Sequence, residues 1–529
     1  MNDRKLATLW LGRKDFAVLV AYFVMVCVAV WFYQPWEDEG RAWMIARSFN
    51  LYPLVFRILR YEGHPALWYL LLWGPAHLHL PFTCINWISV AFGSAGIYIL
   101  LRFAPFPFYL RALLPFSFFL AYQYSVVARS YVLFPLLGFL VAHLYRQAPG
   151  KPVRMASVLA LLANVSIHGT LVALGFAALY AGKLIREWQS NPVAFSRREV
   201  FLGAGLFAGS ILFVALCLWP TADLVPPLSP TLTRIIHRLA LPKPASSISP
   251  PGRTSPVSGV SLRISAPLQK VVLDPLTPLA AFVPEADRPA SGLTQRMVRL
   301  PHALSYAFAS FHPLAFLYEA LLLAYLYRTG KLTLLLPAAL LLTFLVFVSA
   351  SEWHFGLLWV TLLMTLWAAW DSSVEPRGLR LQNAVAGLLA GLCVLQLPWT
   401  FGAIQYEIHH ATYPAHAAAD YLKTLPPGKR LAGLGDAFTV QPYFLQNVLL
   451  EDIRPPSIPA GGSLSHAQFS AVFAVQPDVI LADNQNISVG NISLLRAAGY
   501  QETHAFCGAP YLPNRPIRPL CLLVLERDQ

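Results

Sequence analysis

The chain has 529 residues, of which 56% are hydrophobic and only 12% are charged. Soluble globular proteins carry about 25% charged residues, so the composition excludes that class and indicates an integral membrane protein. The formal net charge is +13. Because Lys and Arg collect in the cytoplasmic loops of membrane proteins, this charge is first a signal of topology. No basic soluble face accompanies it, so nucleic acid is not an expected partner.

The first membrane span is predicted at residues 16–32, and the basic residues before it predict a cytoplasmic N-terminus. These residues are Arg4, Lys5, Arg13 and Lys14. The segment lacks the small-residue cleavage site of a signal peptide, so we expect it to be retained. Residues 34–64 then form an outer loop. Within it, apolar residues at helical spacing with arginines between them, at residues 41–60, predict a helix lying on the membrane surface.

Eleven spans are predicted, with the N-terminus inside and the C-terminus outside. Residues 65–81 are apolar, but counting them as a span would break the positive-inside pattern, so we predict an interfacial or half-inserted helix. Residues 155–182 are predicted to form two short helices with an outer turn near His168. The spans are residues 16–32, 84–101, 104–121, 126–145, 155–182 (two), 200–219, 307–327, 332–348, 355–370 and 384–397.

The predicted fold is therefore an α-helical polytopic membrane module at residues 1–402, followed by a small extracytoplasmic α/β domain at residues 403–529. The composition of the second part is that of a soluble domain, with helices expected at 411–425 and 492–498. Short strands are expected at 430–434, 479–482 and 520–525. Between the spans, residues 220–301 form a Pro- and Ser-rich outer loop with strand-like pieces such as residues 257–264.

Six cysteines are scattered along the chain, and two of them, Cys507 and Cys521, lie in the C-terminal domain. They would form a disulfide if that domain is extracytoplasmic. Two free thiols are the alternative, because spacing alone does not fix a pairing.

Three adjacent carboxylates, Glu37, Asp38 and Glu39, follow the outer end of the first span. Mutual repulsion raises the proton affinity of at least one of them, which suits a general base, and we take Asp38 and Glu39 as candidate catalytic residues. The alternative is an acidic first turn of a helix, where Asp and Glu are favoured.

Glu62 and His64 lie at the other end of the same outer loop. Both could reach one divalent cation, since carboxylate and imidazole are common ligands. The alternative is a turn before the interfacial helix, with Pro65 at its first position.

Four further polar residues are predicted at the same membrane face by the topology: Arg129, Tyr131, His168 and His354. Each alone would more often be a snorkelling or capping residue. Their convergence on one face indicates a site for substrate, and Arg129 suits a phosphate.

The motifs resemble those of a known family. Asp38-Glu39, the amphipathic helix and residues 62–69 resemble the GT-C glycosyltransferases, and more narrowly their protein O-mannosyltransferase and lipid A aminoarabinose transferase branch. Residues 128–133, the helix pair around His168 and residues 352–356 resemble later landmarks of these bacterial membrane sugar transferases. The resemblance extends to about residue 397.

This resemblance implies a polyprenyl-phosphate-linked sugar donor, an acceptor hydroxyl, inversion at the anomeric carbon and an active site on the outer side of a bacterial inner membrane. Asp38 matches the acid that acts as base, with Glu39 its neighbour, and Glu62 matches an acid that helps to hold a divalent metal. Some relatives have Lys directly after that Glu, whereas this chain has Gly63, so Arg129 would compensate. The sugar and the acceptor (protein, lipid or polysaccharide) are not implied.

Two other functions remain open from the sequence. A lipid-linked saccharide transporter or flippase would show inverted repeats and polar residues near the bilayer midplane. A scaffold that presents its outer domain would need no acid cluster in the first loop. The sequence shows no repeat, and its polar candidates lie at one face, which favours the enzyme.

Overall fold

The structure is a computed structural model that describes most of the chain. The described residues are 11–147, 151–190, 196–219, 293–308, 312–348, 352–371, 376–452, 476–484, 489–511 and 519–527. All of them belong to one compact unit, Met1–Trp219 with Asp287–Gln529.

The helices dominate the described chain. They are α1 Arg13–Phe32, α2 Glu37–Ser48, α3 Leu67–His77, α4 Cys84–Phe103, α5 Leu133–Arg146, α6 Pro152–Ala163, α7 Ile167–Ser190, α8 Arg197–Leu218, α9 Leu293–Tyr306, α10 His312–Arg328, α11 Leu336–Phe347, α12 Glu352–Ala369, α13 Pro376–His409, α14 Ala415–Thr424 and α15 Val489–Ala497. Shorter α, 3-10 and π segments join several of them, and α2 is followed by such segments at Leu51–Pro53, Leu54–Ile58 and Leu59–Glu62.

Five helices of the described chain are long and apolar enough to cross a membrane: α1, α4, α7, α8 and most of α13. Four shorter apolar helices accompany them, at Ser130–Arg146, Pro152–Ala163, Leu332–Phe347 and Trp353–Ala369. This is the pattern of a membrane protein. Helix α3 has 11 residues and is about 16 Å long, half the thickness of a hydrocarbon core, so its length fits the interfacial or half-inserted helix predicted at residues 65–81.

The segment predicted as a span at residues 104–121 is not one continuous helix. It consists of an α-helix at Phe108–Leu113, a 3-10 turn at Leu114–Phe116 and a π-helix at Phe119–Val126. Pro115 explains the first break, because proline lacks the N–H that an α-helix requires. The π-helix extends the segment beyond its predicted end, and such helices are frequent at functional sites.

The predicted turn near His168 is present, but the prediction of two short helices within residues 155–182 is wrong for the second, because α7 has 24 residues and ends at Ser190. Helix α6 ends at Ala163 and α7 begins at Ile167, which places His168 in its first turn. The Thr170 hydroxyl donates to the carbonyl of Ala163 at 2.7 Å and closes the turn. Gly169 is required here, because a Cβ at this position would lie 2.3 Å from the Leu162 carbonyl oxygen.

The outer loop was predicted at residues 220–301. Its predicted end is wrong, because α9 begins at Leu293. The apolar side chains of α9 recur at helical spacing, but its two internal arginines and Pro301 hid this pattern. The strand-like residues 257–264 lie outside the described residues.

The C-terminal domain is α/β, as predicted. Its strands β1 Leu431–Leu434, β2 Leu449–Asp452, β3 Val479–Asp483, β4 Tyr500–Gly508 and β5 Leu520–Arg527 form one sheet in the order β2-β1-β3-β5-β4. The β1 strand is parallel to β2 and β3, whereas β5 is antiparallel to β3 and β4. Helix α13 runs without interruption across the predicted boundary at residues 402/403 and ends at His409.

Cys507 and Cys521 form a disulfide. They lie opposite each other on β4 and β5, so the pairing of the strands brings the two sulfur atoms together. The cysteines at positions 27, 84, 217 and 393 are free.

Replacing both Cys507 and Cys521 with Ser should destabilise the C-terminal domain by about 3 kcal/mol, because a disulfide across a loop of about 15 residues restricts the unfolded chain by this amount. Native-state hydrogen exchange of the β5 amides measures the opening free energy. Cys27→Ser, which removes a free thiol in α1, is the control. Unchanged β5 exchange in the double variant would contradict the prediction.

Candidate functional site

One cavity of about 200 Å³ collects several of the predicted site residues. Its walls come from the first turns of α2, from the chain between α2 and α3, from α3, and from the chain that follows the π-helix. The lining residues are Asp38, Arg41, Ala42, Tyr61, Glu62, His64, Trp68, Tyr69, Ala128, Arg129 and Ser130.

An ion pair between Asp38 and Arg129 forms one wall of this cavity. The Arg129 Nη2 atom lies 2.9 Å from Oδ2 of Asp38, and the Asp38 side chain is 48% exposed whereas that of Arg129 is 16% exposed. The guanidinium also lies 5.4 Å from the ring centre of Tyr131 and 5.8 Å from that of Trp353. The cation is thus fixed by aromatic rings, while the carboxylate remains open to a bound molecule.

Glu39 does not line the cavity. Its side chain is fully buried and accepts hydrogen bonds from the Tyr33 hydroxyl at 2.7 Å, from the Trp36 backbone N–H at 2.6 Å and from the backbone N–H of Ala128. The first two bonds fix the start of α2. The third attaches Ala128, the residue next to Arg129, to this helix. Glu39 therefore fixes the chain on which Asp38 and Arg129 lie, and its role as a catalytic residue stays a prediction.

Burial raises the pKa of Glu39 to about 7, and its hydrogen bonds and the charge of Arg129 oppose this rise. The sequence argument expected a raised proton affinity from repulsion among the three adjacent carboxylates. Glu39 has the raised pKa that this argument expected of one carboxylate, but the cause is removal of the carboxylate from water and not repulsion.

Glu62 forms an ion pair with a residue that the sequence argument missed. Arg41 Nη2 lies 2.7 Å from Oε1 of Glu62, and Arg41 Nε donates to the same oxygen at 2.8 Å. Burial raises the pKa of Glu62, and the charge of Arg41 opposes this rise. Arg41 follows Asp38 by three residues on α2, so helical spacing alone could have placed it on the same face.

No metal-binding group is found around Glu62 among the described side chains. Across the described ranges, no group of three or more His, Cys, Asp or Glu side chains could hold a metal ion. Burial, together with the charge of Arg129, lowers the pKa of His64 to about 4, so its imidazole is neutral at neutral pH. The divalent cation expected at Glu62 and His64 stays a prediction, and no chemical step proposed below uses it.

The other three predicted residues form a cluster beside Arg129. Tyr131 Oη lies 2.8 Å from Nε2 of His354, and the rings of His354 and His168 are 4.3 Å apart between centres. His168 is 3% exposed, and neither of its ring nitrogens has a hydrogen-bond partner among the described residues. His64 reaches the same cluster, with its ring 6.4 Å from that of Tyr131. Of the eight predicted residues, four line the cavity, three form the adjoining cluster, and Glu39 is buried without lining it.

Close packing between the π-helix and α12 holds this cluster against Arg129. The Tyr124 hydroxyl donates to the Trp353 carbonyl at 2.6 Å. A Cβ on Gly356 would lie 2.2 Å from the Phe119 ring, so only glycine permits this approach. His354 and Trp353 are thereby positioned by the segment that leads to Arg129.

The C-terminal domain packs on another face of α2. Arg47 near the end of α2 donates to Oδ1 of Asn447 at 3.2 Å and to the carbonyl of Phe444. The backbone N–H of Tyr413 donates to Oε1 of Gln34 at 3.2 Å. Helix α2, which carries Asp38, therefore lines the cavity with one face and contacts the C-terminal domain with another.

The raised pKa of Glu39 predicts a pH dependence of stability. Because the folded-state pKa lies above the ordinary value of 4.5, the folded protein retains a proton that the unfolded chain loses. Its unfolding free energy should then fall as the pH rises from about 4.5 to about 7. Glu39→Gln should make this slope shallower, which the unfolding midpoint of the purified protein at several pH values would report.

Glu502→Gln, which changes an exposed carboxylate of β4, is the matched control and should retain the slope. Parallel pH profiles for the natural chain and Glu39→Gln would refute the assignment of the raised pKa to Glu39.

A scan against protein-family models finds no match for the chain. Searches of curated proteins and of solved structures find no similar protein either.

Proposed function

We propose that the protein is a membrane glycosyltransferase of the GT-C type. It transfers a sugar from a polyprenyl-phosphate-linked donor to an acceptor hydroxyl on the extracytoplasmic side, with inversion. The observation that carries this proposal is the pair formed by the half-exposed Asp38 carboxylate and the buried Arg129 guanidinium in one cavity. A base and a phosphate-binding cation are the two groups that this transfer needs.

The cations of the cavity support a phosphate-bearing donor. Arg129 and Arg41 both line it, and each is already paired with a carboxylate, Asp38 and Glu62 respectively. A donor phosphate would compete with Asp38 for the guanidinium of Arg129, because two oxyanions then face one cation. Donor binding would thus release the Asp38 carboxylate for its role as base. The neutral His64 and the Tyr131 hydroxyl offer further hydrogen bonds.

The transfer is a single displacement. The acceptor oxygen forms a bond to the anomeric carbon from the face opposite the lipid phosphate, while the bond from that carbon to the phosphate oxygen breaks. The acceptor proton passes to Asp38. The bonding electrons leave with the polyprenyl phosphate, whose added charge is stabilised by Arg129. One displacement inverts the anomeric centre.

The membrane arrangement belongs to the same proposal: eleven spans, a cytoplasmic N-terminus, and the cavity and C-terminal domain outside a bacterial inner membrane. The disulfide between Cys507 and Cys521 supports an oxidising compartment for that domain. The basic residues that flank the spans support the same orientation.

Asp38→Asn should reduce sugar transfer by about 10² to 10⁴-fold, because Asn retains the size of the side chain but cannot accept the proton. Release of polyprenyl phosphate from a panel of synthetic polyprenyl-phosphate sugars by the purified protein measures the effect. Glu37→Gln changes the preceding carboxylate, which does not line the cavity, and is the matched control.

An Asp38→Asn variant as active as the natural chain would disprove the role of Asp38 as base. If the folded natural chain releases no polyprenyl phosphate with any donor and acceptor class, the glycosyltransferase proposal fails. Movement of the intact lipid-linked sugar across vesicles would then identify a transporter.

The proposed topology predicts opposite labelling, by a membrane-impermeant maleimide, of two variants that each carry one added cysteine. Asp420→Cys, at a 53% exposed side chain of the C-terminal domain, should be labelled in spheroplasts. Glu199→Cys, at the exposed start of α8, should be labelled only after the membrane is opened. The unmodified chain gives the background, and labelling of both sites before opening would refute the topology.

A further inference from the structure

A second cavity system lies where the C-terminal domain meets the end of α1 and the start of α4. Two cavities of about 400 and 220 Å³ adjoin there and share Thr83 and Tyr443. We call them together the seam groove. Arg47 lines it and follows Asp38 by nine residues on α2, or two and a half turns, so the groove and the catalytic cavity lie on opposite faces of that helix.

One end of the seam groove opens among exposed aromatic side chains. Trp31 is 76% exposed, Phe32 43% and Trp87 44%, and all three line the larger cavity at the ends of two apolar helices. Tryptophan at such helix ends marks the level of the membrane–water interface. The groove therefore opens sideways at the depth where lipid head groups meet acyl chains.

The interior of the seam groove contains buried polar atoms without partners. Asn86 is 3% exposed and lines the larger cavity, and its Oδ1 atom has no hydrogen-bond partner among the described residues. The Tyr443 hydroxyl, shared by both cavities, is likewise buried and unpaired within the described chain. Buried polar groups are otherwise hydrogen-bonded, so these two atoms point to a ligand with polar groups at this depth.

The smaller cavity adds positive charge. Arg47 and Lys423 line it, and no Asp or Glu is among the described residues that line either cavity. Lys423 Nζ lies 2.8 Å from the exposed Asp420, which is outside the groove. The charge of the seam groove thus complements an anion, while its other end fits hydrocarbon.

We propose that the seam groove binds an anionic phospholipid of the surrounding leaflet. Its phosphate lies at Arg47 and Lys423, its polar linkage groups contact Asn86 and Tyr443, and its acyl chains leave past Trp31 and Trp87 into the bilayer. Bound there, the lipid joins the C-terminal domain to α1 and α4. This site is separate from the catalytic cavity and does not depend on the glycosyltransferase proposal.

The test is equilibrium binding of short-chain phosphatidylglycerol to the purified full chain in a neutral detergent, with phosphatidylcholine and inorganic phosphate as comparison ligands. Phosphatidylglycerol should bind at least about tenfold more tightly than phosphatidylcholine, because only it carries net charge. Lys423→Gln should weaken its binding by about fivefold, the effect of one basic residue at an anionic head group. Lys429→Gln, on the same domain but outside the groove, should leave the affinity unchanged.

A phosphatidylglycerol with a photoreactive acyl chain should label the segment that contains Thr83 and Trp87, and Asn86→Leu should reduce this labelling. Lys423 is a surface residue, so its variant keeps the test valid if Asn86→Leu fails to fold. The proposal is overturned if both lipids bind equally, if Lys423→Gln and Lys429→Gln behave alike, or if labelling occurs elsewhere. Equal competition by inorganic phosphate would assign the site to a free anion instead of a lipid.

Discussion

The geometry of the site depends on the hydrogen bonds that the buried carboxylate of Glu39 accepts. The carboxylate accepts hydrogen bonds from Tyr33 and Trp36 at the start of α2 and from Ala128, which is 89 residues away in the chain. A buried acceptor with three donors is costly to disturb, because breaking one bond leaves a polar group without water. Asp38 and Arg129 each lie one residue from this junction. Their separation of 2.9 Å follows from it.

The same junction explains why a charged pair can lie beside an apolar bundle. Arg129 is nearly buried, and a cation in such surroundings requires compensation. Asp38 supplies the opposite charge, and the rings of Tyr131 and Trp353 supply the rest. His64, whose ring lies 6.4 Å from that of Tyr131, adds a polar group without adding charge, since its imidazole is neutral at neutral pH. The two acids and two arginines that line the cavity are paired with each other and therefore leave it with little net charge.

The sequence could predict which residues meet, because membrane topology places helix ends at a common face. Asp38, Glu62, His64 and Arg129 were placed together by this argument alone. Burial is a tertiary property, so the sequence could not separate the exposed Asp38 from the buried Glu39. The exposed strand β4 was not predicted because its residues do not alternate between apolar and polar side chains. The break after Phe108–Leu113 was not predicted because a continuous run of apolar residues does not show where an α-helix gives way to another helix type.

Helix α2 has two opposite faces with different neighbours, and this arrangement constrains how the C-terminal domain can act. One face carries Asp38 and Arg41 into the cavity that Arg129 also lines, whereas Arg47 on another face binds the segment around Asn447. Glu39 on the same helix binds the backbone N–H of Ala128, so the chain next to Arg129 is attached to α2 as well. The C-terminal domain and the chain that carries Arg129 are therefore both held by this one helix.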